Sequence, residues 1–154
     1  MVRILLVALL LPALSTRAEP PLPTRPLTAE EQAAITHNVE LVQKQMEPLS
    51  HLSFNFTDAS IKWLDGFIER NRSHESASRL QQVLASYLGE TIRVQFNCSW
   101  VGSEESIALS CPGNLMLFPF TKVAKQFSSG HDDSIYAFYQ SVPTLTAQTS
   151  STPR

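Results

Sequence analysis

Apolar residues recur every three or four positions along the first half of the chain, which is the spacing of one helix face. The first set is Ile35, Val39, Val42 and Met46. Before it, Thr28 and Glu31 have the spacing of a capping box, in which each residue satisfies a free backbone donor at the start of a helix. Pro48 is expected to end this first helix because proline lacks a backbone N–H.

Two more helices are predicted from the same periodicity. The second begins at Thr57 or Asp58, both good helix caps, and ends near Asn71. The third begins at about Ser76. Gly89 is expected to stop it, because glycine adopts the left-handed cap conformation without a Cβ penalty.

The spacing of apolar residues changes from about 3.6 to two after Gly89, which predicts a strand with one buried face. The alternating apolar residues are Val94, Phe96, Cys98 and Trp100. Two further short strands are predicted at Ile107–Cys111 and Leu115–Phe118, with a polar turn before each of them. The three strands together form an antiparallel meander.

Two helices follow the meander and complete an α+β pattern. Pro119 and Gly130 bound a short fourth helix, and Asp132 or Asp133 is expected to cap the fifth. The order is three N-terminal helices, a three-stranded antiparallel meander and two C-terminal helices. It predicts a single α+β domain in which the helices cover the apolar face of the sheet.

The predicted domain covers residues 28–143. Residues 144–154 are mostly Thr, Ser and Gln, and the segment is predicted to bury nothing and to form a disordered tail. Residues 19–27 are rich in proline and are expected to form an extended linker.

Residues 1–18 have the features of a cleavable secretory signal peptide, with a cut expected before Glu19. Ile4–Leu14 is an uncharged apolar run that follows a basic residue and precedes small residues. This run is shorter than the roughly 20 residues needed to cross a bilayer, which disfavours an uncleaved anchor. We therefore expect a periplasmic or secreted protein with no membrane span after cleavage.

The charge balance disfavours nucleic acid as a partner. The signal peptide holds two of the 12 basic residues and none of the 14 acidic ones, so the mature chain has 10 basic and 14 acidic residues and a formal charge of −4. Its Lys and Arg residues form no basic run. Such a domain has no electrostatic reason to bind phosphate backbones or an anionic membrane surface.

The two cysteines are predicted to form a disulfide bond. A hairpin loop over residues 103–106 places Trp100 opposite Leu109. In the same register Cys98 lies opposite Cys111, at a cross-strand distance from which a disulfide can close. A turn of another length would leave two free buried thiols, which is the alternative. No histidine lies near the cysteines, so a metal site is not expected.

No arrangement of residues forms a recognised catalytic signature, and no cofactor is expected. The four histidines are His37, His51, His74 and His131, and none has a second His or Cys at metal-ligand spacing. The densest polar cluster is His131-Asp132-Asp133. Helix capping by aspartate is its simpler explanation. The alternative is a small periplasmic hydrolase whose site combines His131 with dispersed acidic residues.

A resemblance to other proteins rests on three segments of the second half and on Trp100 between the first two. The segments are LASYLGETIR at Leu84–Arg93, LFPFTKVAKQFSSG at Leu117–Gly130 and DSIYAFY at Asp133–Tyr139. Together they resemble a loosely defined group of small bacterial domains of unknown function. The resemblance implies an α+β bacterial domain and brings no catalytic residues. The amino-terminal helices and the two cysteines lie outside it.

Export, small size, mild acidity and the missing catalytic signature favour a non-enzymatic binding module for a protein or an envelope component. An inhibitor or immunity-type protein is a specific form of this hypothesis. Recognition is commonly carried by polar loops on a rigid scaffold. The expected partner-binding residues are Ser103, Glu104, Glu105 and Ser106 at the hairpin tip, and His131 and Asp132 in the loop Ser128–Asp132.

Overall fold

The computed structural model describes residues 23–103 and 106–150. The predicted signal peptide and the hairpin residues Glu104 and Glu105 lie outside this described part. The helices are α1 (Ala29–Ser50), α2 (Asp58–Asn71), α3 (Gln81–Phe96), α4 (Pro119–Ser129) and α5 (Ile135–Ser150), and the strands are β1 (Ser99–Gly102), β2 (Ile107–Cys111) and β3 (Leu115–Leu117). The predicted α+β class is confirmed: α1–α3 precede the antiparallel meander along the chain, and α4 and α5 follow it.

The start of α1 is the predicted capping box. The Glu31 backbone N–H donates to Thr28 Oγ1 at 3.1 Å, and the Thr28 backbone N–H donates to the Glu31 carboxylate at 2.8 Å. Pro48 does not end the helix, which continues to Ser50. Proline removes one hydrogen bond from the last turn. The His51 N–H still closes that turn by donating to a carbonyl oxygen one turn earlier, at 3.0 Å.

Gly89 does not end α3, which corrects the prediction of a helix stop at this glycine. The helix continues to Phe96, Asn97 caps it in the left-handed conformation, and the strand begins at Ser99. The reason for glycine is packing, because a Cβ at position 89 would lie 2.1 Å from Cη2 of Trp100. The absent side chain lets the Trp100 ring lie directly against the helix.

The three strands form one antiparallel sheet in the order β1-β2-β3. Trp100 pairs with Leu109, as the four-residue loop predicted. The disulfide between Cys98 and Cys111 is present, with an S–S distance of 2.02 Å. The prediction of this bond is confirmed, and the bond joins the two strands at the end of the hairpin opposite its loop.

The last residues of the predicted linker lie against the sheet. Arg25 and Gly102 exchange two backbone hydrogen bonds of 2.8 Å, so the segment before α1 pairs with the outer edge of β1. The Arg25 guanidinium donates two hydrogen bonds of 2.8 Å to Glu31. This hydrogen bonding holds the pKa of Glu31 at about 2.

Helix α3 occupies the centre of the domain and packs against α1, α4 and α5. Its fully buried side chains include Leu84, Tyr87, Leu88 and Ile92. The Tyr87 hydroxyl donates to Ser60 Oγ at 3.0 Å and accepts the Phe56 backbone N–H at 3.0 Å. A hydroxyl that both donates and accepts a hydrogen bond can be buried at little cost in free energy. The bond to Ser60 joins α3 to α2.

The prediction of a disordered tail after Pro143 is wrong as far as Ser150, because α5 includes these residues. Two threonine hydroxyls in this segment donate to helix carbonyls: Thr146 to Val142 at 3.1 Å and Thr149 to Leu145 at 3.1 Å. Leu145 is half-buried, so the segment has an apolar contact that composition alone did not suggest. Residues 151–154 lie outside the described part.

Candidate binding surfaces

The predicted partner-binding residues His131 and Asp132 lie in a short turn between α4 and α5, and both side chains are exposed. The turn begins at Gly130, with φ of +72° and ψ of −144°, a conformation that residues with a Cβ rarely adopt. A Cβ at Gly130 would also lie 3.0 Å from Cζ of Arg72. Glycine therefore lets the turn approach the end of α2 closely. We call Gly130–Asp133 the α4–α5 turn.

A buried polar network around Asp65 of α2 holds the residues that follow this turn. Asp65 Oδ1 accepts hydrogen bonds from Ser134 Oγ at 2.6 Å, from the Gln126 amide at 3.1 Å and from the Tyr136 backbone N–H at 3.2 Å. Gln126 Oε1 accepts the Ile135 backbone N–H at 3.0 Å. These bonds satisfy backbone donors that the start of a helix leaves unpaired. The network therefore joins the beginning of α5 to α2 and α4.

Ser134 caps α5 in place of the predicted Asp132 or Asp133. Its Oγ accepts the Ala137 backbone N–H at 3.0 Å while it donates to Asp65. Its side chain can do both because a hydroxyl has one donor and two acceptor positions. Asp132 is consequently not needed as a cap, and its carboxylate remains exposed on the turn.

Asp133 is held at the other side of the turn by α4. Lys122 Nζ lies 2.9 Å from Asp133 Oδ1, and this hydrogen bond holds the pKa of Asp133 below its usual range. Within the part of the chain that the structure describes, His131 forms no ion pair with a carboxylate. The turn therefore presents the imidazole of His131 and the carboxylate of Asp132 to solvent. On either side of them, Gly130 donates its backbone N–H to Gln126 and Asp133 is paired with Lys122.

The hairpin tip is closed by its two serines. The Ser103 backbone N–H donates to the Ser106 carbonyl at 2.8 Å, and the Ser106 backbone N–H donates to Ser103 Oγ at 3.1 Å. These bonds close the four-residue loop that the sequence predicted. Glu104 and Glu105, the two acidic residues of the predicted partner surface, lie outside the described residues, so their role stays a prediction.

An open polar groove of about 260 Å³ lies beside the disulfide, between α1, α3 and β1. Its lining residues are Gln32, Glu90, Arg93, Cys98, Ser99 and Trp100. Arg93 Nη2 donates to Glu90 at 2.8 Å and Trp100 Nε1 donates to Glu90 at 2.9 Å. Burial raises the pKa of Glu90, but these hydrogen bonds outweigh it and leave the pKa below its usual range. The Glu90 carboxylate already accepts hydrogen bonds from Arg93 and Trp100, so the groove offers a ligand few unpaired polar groups.

A second depression, of about 200 Å³, opens between the end of β3, the first turns of α4 and the start of α5. Its lining residues are Met116, Leu117, Phe118, Thr121, Lys122, Lys125 and Phe138. Carbon-rich side chains form its floor, and two lysines three positions apart on α4 form its rim. We call it the basic depression.

The described residues show neither a metal site nor a membrane-spanning helix. Nowhere in the ranges 23–103 and 106–150 do three or more His, Cys, Asp or Glu side chains come together to hold a metal ion. The helices of the same ranges are too short or too polar to cross a membrane.

Sequence analysis did not single out the residues of the buried network. Asp65 lies four residues after Ile61 and three before Ile68, on the apolar face of α2. An acid in that position is a signal of a buried carboxylate with partners, because charged groups are rarely buried unpaired. Its partners could not be identified, since Ser134 lies 69 positions further along the chain.

Comparisons with protein families, with curated proteins and with solved structures found no match. The resemblance of Leu84–Tyr139 to small bacterial domains therefore stays a prediction.

Proposed function

We propose that this protein is an exported, non-enzymatic binding module for a protein or an envelope component. Its partner surface comprises the loop Ser128–Asp132 and the hairpin tip Ser103–Ser106. The observation that carries the proposal is the placement of His131 and Asp132. Both side chains are exposed on a turn whose two ends are held by buried or paired groups.

A turn held in this way suits recognition. A loop that is already ordered loses less conformational entropy when a partner binds, so more of the contact energy appears as affinity. At one end of the turn the buried Gly130 donates its backbone N–H to the Gln126 carbonyl, and at the other end Ser134 with its bonds to Asp65 holds the start of α5. The backbone that carries the exposed pair is therefore held at both ends by hydrogen bonds.

Export is supported by the Cys98–Cys111 bond and by the signal-like residues 1–18. Disulfide bonds persist in oxidising compartments and are rare in the cytosol. Periplasmic or secreted location is part of the proposal, and an inhibitor or immunity-type protein is its most specific form. Asp132, Glu104 and Glu105 give the two loops an acidic character that would steer a basic partner.

The alternative of a small hydrolase has less support from the geometry. A general base has to lie within hydrogen-bond reach of a substrate that is seated in a concave site. His131 and Asp133 line neither the polar groove nor the basic depression. Asp133 is already paired with Lys122.

The proposal is tested with the mature chain, residues 19–154, used as bait in periplasmic extract. The double variant His131→Ser with Asp132→Ser removes both exposed groups of the turn. The matched control replaces an exposed histidine and an exposed acid in the middle of α1, His37→Ser with Glu40→Ser. We expect the turn variant to weaken binding of the captured partner at least tenfold, about 1.4 kcal/mol, and the control to bind as the unaltered protein does.

Both double variants should keep the free energy of unfolding within about 0.5 kcal/mol of the original, because the replaced side chains are exposed. Equal affinity of the turn variant and the unaltered protein for the partner would contradict the proposed surface. Hydrolysis of a panel of p-nitrophenyl esters that disappears with His131→Ser would favour the hydrolase instead.

A further inference from the structure

We propose that the basic depression is the docking site for an acidic, apolar peptide segment of the partner. One bulky apolar side chain of that segment enters the depression, and a neighbouring carboxylate pairs with Lys125. The inference rests on the proposed function, because it names the chemistry of one segment that a binding module would hold. This acidic segment is a local feature of a partner whose surface facing the two acidic loops is basic.

The size of the depression favours an anchor side chain over a whole small molecule. Its volume of about 200 Å³ is below the roughly 300–1,000 Å³ of pockets that enclose drug-sized ligands. It is open to solvent, so an occupant can extend beyond it. A peptide side chain satisfies both conditions, because its backbone continues along the surface.

The floor of the depression is apolar and half-exposed. Met116, Phe118 and Phe138 are each partly accessible, and Leu117 is buried beneath them. Aromatic side chains and methionine are enriched at protein interfaces, where they supply large contact areas. These residues leave apolar surface that an apolar side chain of a partner would remove from water.

Charge determines which peptide fits. Lys122 is paired with Asp133 at 2.9 Å and lies 6.0 Å from the centre of the Phe138 ring. Lys125, one helical turn further, is exposed and makes no ion pair among the described residues. The rim thus carries two positive charges, of which that of Lys122 is paired with Asp133 outside the lining and that of Lys125 is not, in a mature chain whose formal charge is −4. A carboxylate beside the apolar side chain complements this excess.

The probe is the hexapeptide acetyl-Gly-Glu-Phe-Glu-Leu-Gly-amide, titrated into ¹⁵N-labelled mature protein. We expect the amide resonances of Phe118, Thr121, Lys125 and Phe138 to shift together and to give one dissociation constant. A peptide with Gln in place of both Glu residues should bind at least fivefold more weakly. So should a peptide with Ser in place of Phe and Leu. Raising the salt to 0.5 M should weaken the acidic peptide most, because exposed charges are screened.

Two variants test the site itself. Lys125→Glu reverses an exposed charge and should weaken binding at least fivefold, whereas the matched control Lys44→Glu on α1 should leave it unchanged. Thr121→Trp places a large ring on the exposed rim and should block the depression without touching the core. The amide spectrum of each variant reports whether the fold is retained.

Three results would overturn the inference: equal binding of the Gln peptide, shifts confined to residues outside the depression, or binding of dodecanoate but of none of the peptides. The proposed function fails separately. If Lys125→Glu leaves partner capture intact while the His131 and Asp132 variant abolishes it, the turn is part of the partner surface and the depression is not the docking site. If only Lys125→Glu abolishes capture, the depression is the docking site and the turn is not part of the partner surface.

Discussion

The hairpin and the α4–α5 turn meet the same requirement by different chemistry. Each carries residues of the proposed partner surface, and each is held by residues that flank them. The hairpin is closed by a covalent bond between Cys98 and Cys111, and the turn is followed by a noncovalent network centred on Asp65. The comparison shows that a small domain can keep two loops in place with one crosslink and one buried carboxylate.

The two devices differ in where they act on the folding equilibrium. A disulfide stabilises mainly by restricting the unfolded chain. A buried network acts in the folded state, because each donor that it satisfies would otherwise be buried without a partner. The hairpin should therefore respond to reducing agents, and the turn should respond to single substitutions.

The largest effect is expected from Asp65→Ala. It removes the acceptor of Ser134 Oγ and of the Tyr136 N–H, whereas the Gln126 amide keeps the Asp65 carbonyl at 3.3 Å. The two donors left without a partner should cost about 4 kcal/mol in the free energy of unfolding. Urea unfolding measures that loss. Hydrogen exchange should show faster opening of the first turn of α5 with little change in β1 and β2. Uniformly faster exchange through both regions would mean that the network does not act locally.

The double variant Cys98→Ser with Cys111→Ser should produce the opposite pattern. Removal of a crosslink between residues 13 positions apart should cost about 3 kcal/mol. Exchange should become faster in the strands of the hairpin and stay nearly unchanged at Ser134 and Ile135. A stability equal to that of the oxidised protein would show that sheet pairing alone holds the hairpin.

Glu90→Gln sharpens the comparison, because Glu90 of α3 holds strand β1 of the hairpin through the noncovalent bond from Trp100. The variant weakens the hydrogen bonds from Arg93 and Trp100 and should cost about 1 kcal/mol at neutral pH. The folded-state pKa of Glu90 lies below the usual 4.5, so its contribution is complete above pH 4.5 and disappears as the pH falls through the lowered folded pKa.

Thermal unfolding of the two proteins between pH 7 and pH 2 measures this difference. The gap between the unaltered protein and Glu90→Gln should be largest near neutrality and close as the pH falls. The pairs of Glu31 and Asp133 titrate in both proteins and cancel in the comparison. A constant gap over the whole range would contradict an ionised Glu90 as the source.

The smallest effect on stability is expected from Glu104→Ser with Glu105→Ser. Both residues belong to the predicted loop, and surface replacements of this kind change the free energy of unfolding by about 0.5 kcal/mol or less. If the hairpin tip steers a basic partner, the association rate should fall, and more at low salt than at high salt. Identical rates at both ionic strengths would remove the tip from the interface.

The hairpin could be predicted from the sequence because strand periodicity leaves few registers. Once residues 103–106 are taken as the loop, alternation of apolar residues places Trp100 opposite Leu109 and the cysteines opposite each other. The boundaries of α4 followed from Pro119 and Gly130 for a similar reason, since each residue limits the backbone locally.

The errors came from contacts between distant parts of the chain. Gly89 has the local features of a helix stop, yet its role depends on Trp100 lying against it. Asp65 meets Ser134 only in the folded domain. The exposed position of His131 and Asp132 follows from these long-range contacts, because Ser134 takes the capping role that the sequence had assigned to an aspartate.

The pairing of Arg25 with Gly102 has a consequence for how the mature protein avoids aggregation. The unpaired backbone at the edge of a sheet can add a strand from another molecule, and proteins cover such edges to prevent it. Here Arg25 pairs with Gly102 and occupies the N–H and C=O groups of this residue on the outer edge of β1. A preparation that starts at Leu27 lacks Arg25, leaves the Gly102 N–H and C=O groups unpaired at this edge, and should self-associate more readily than one that starts at Glu19.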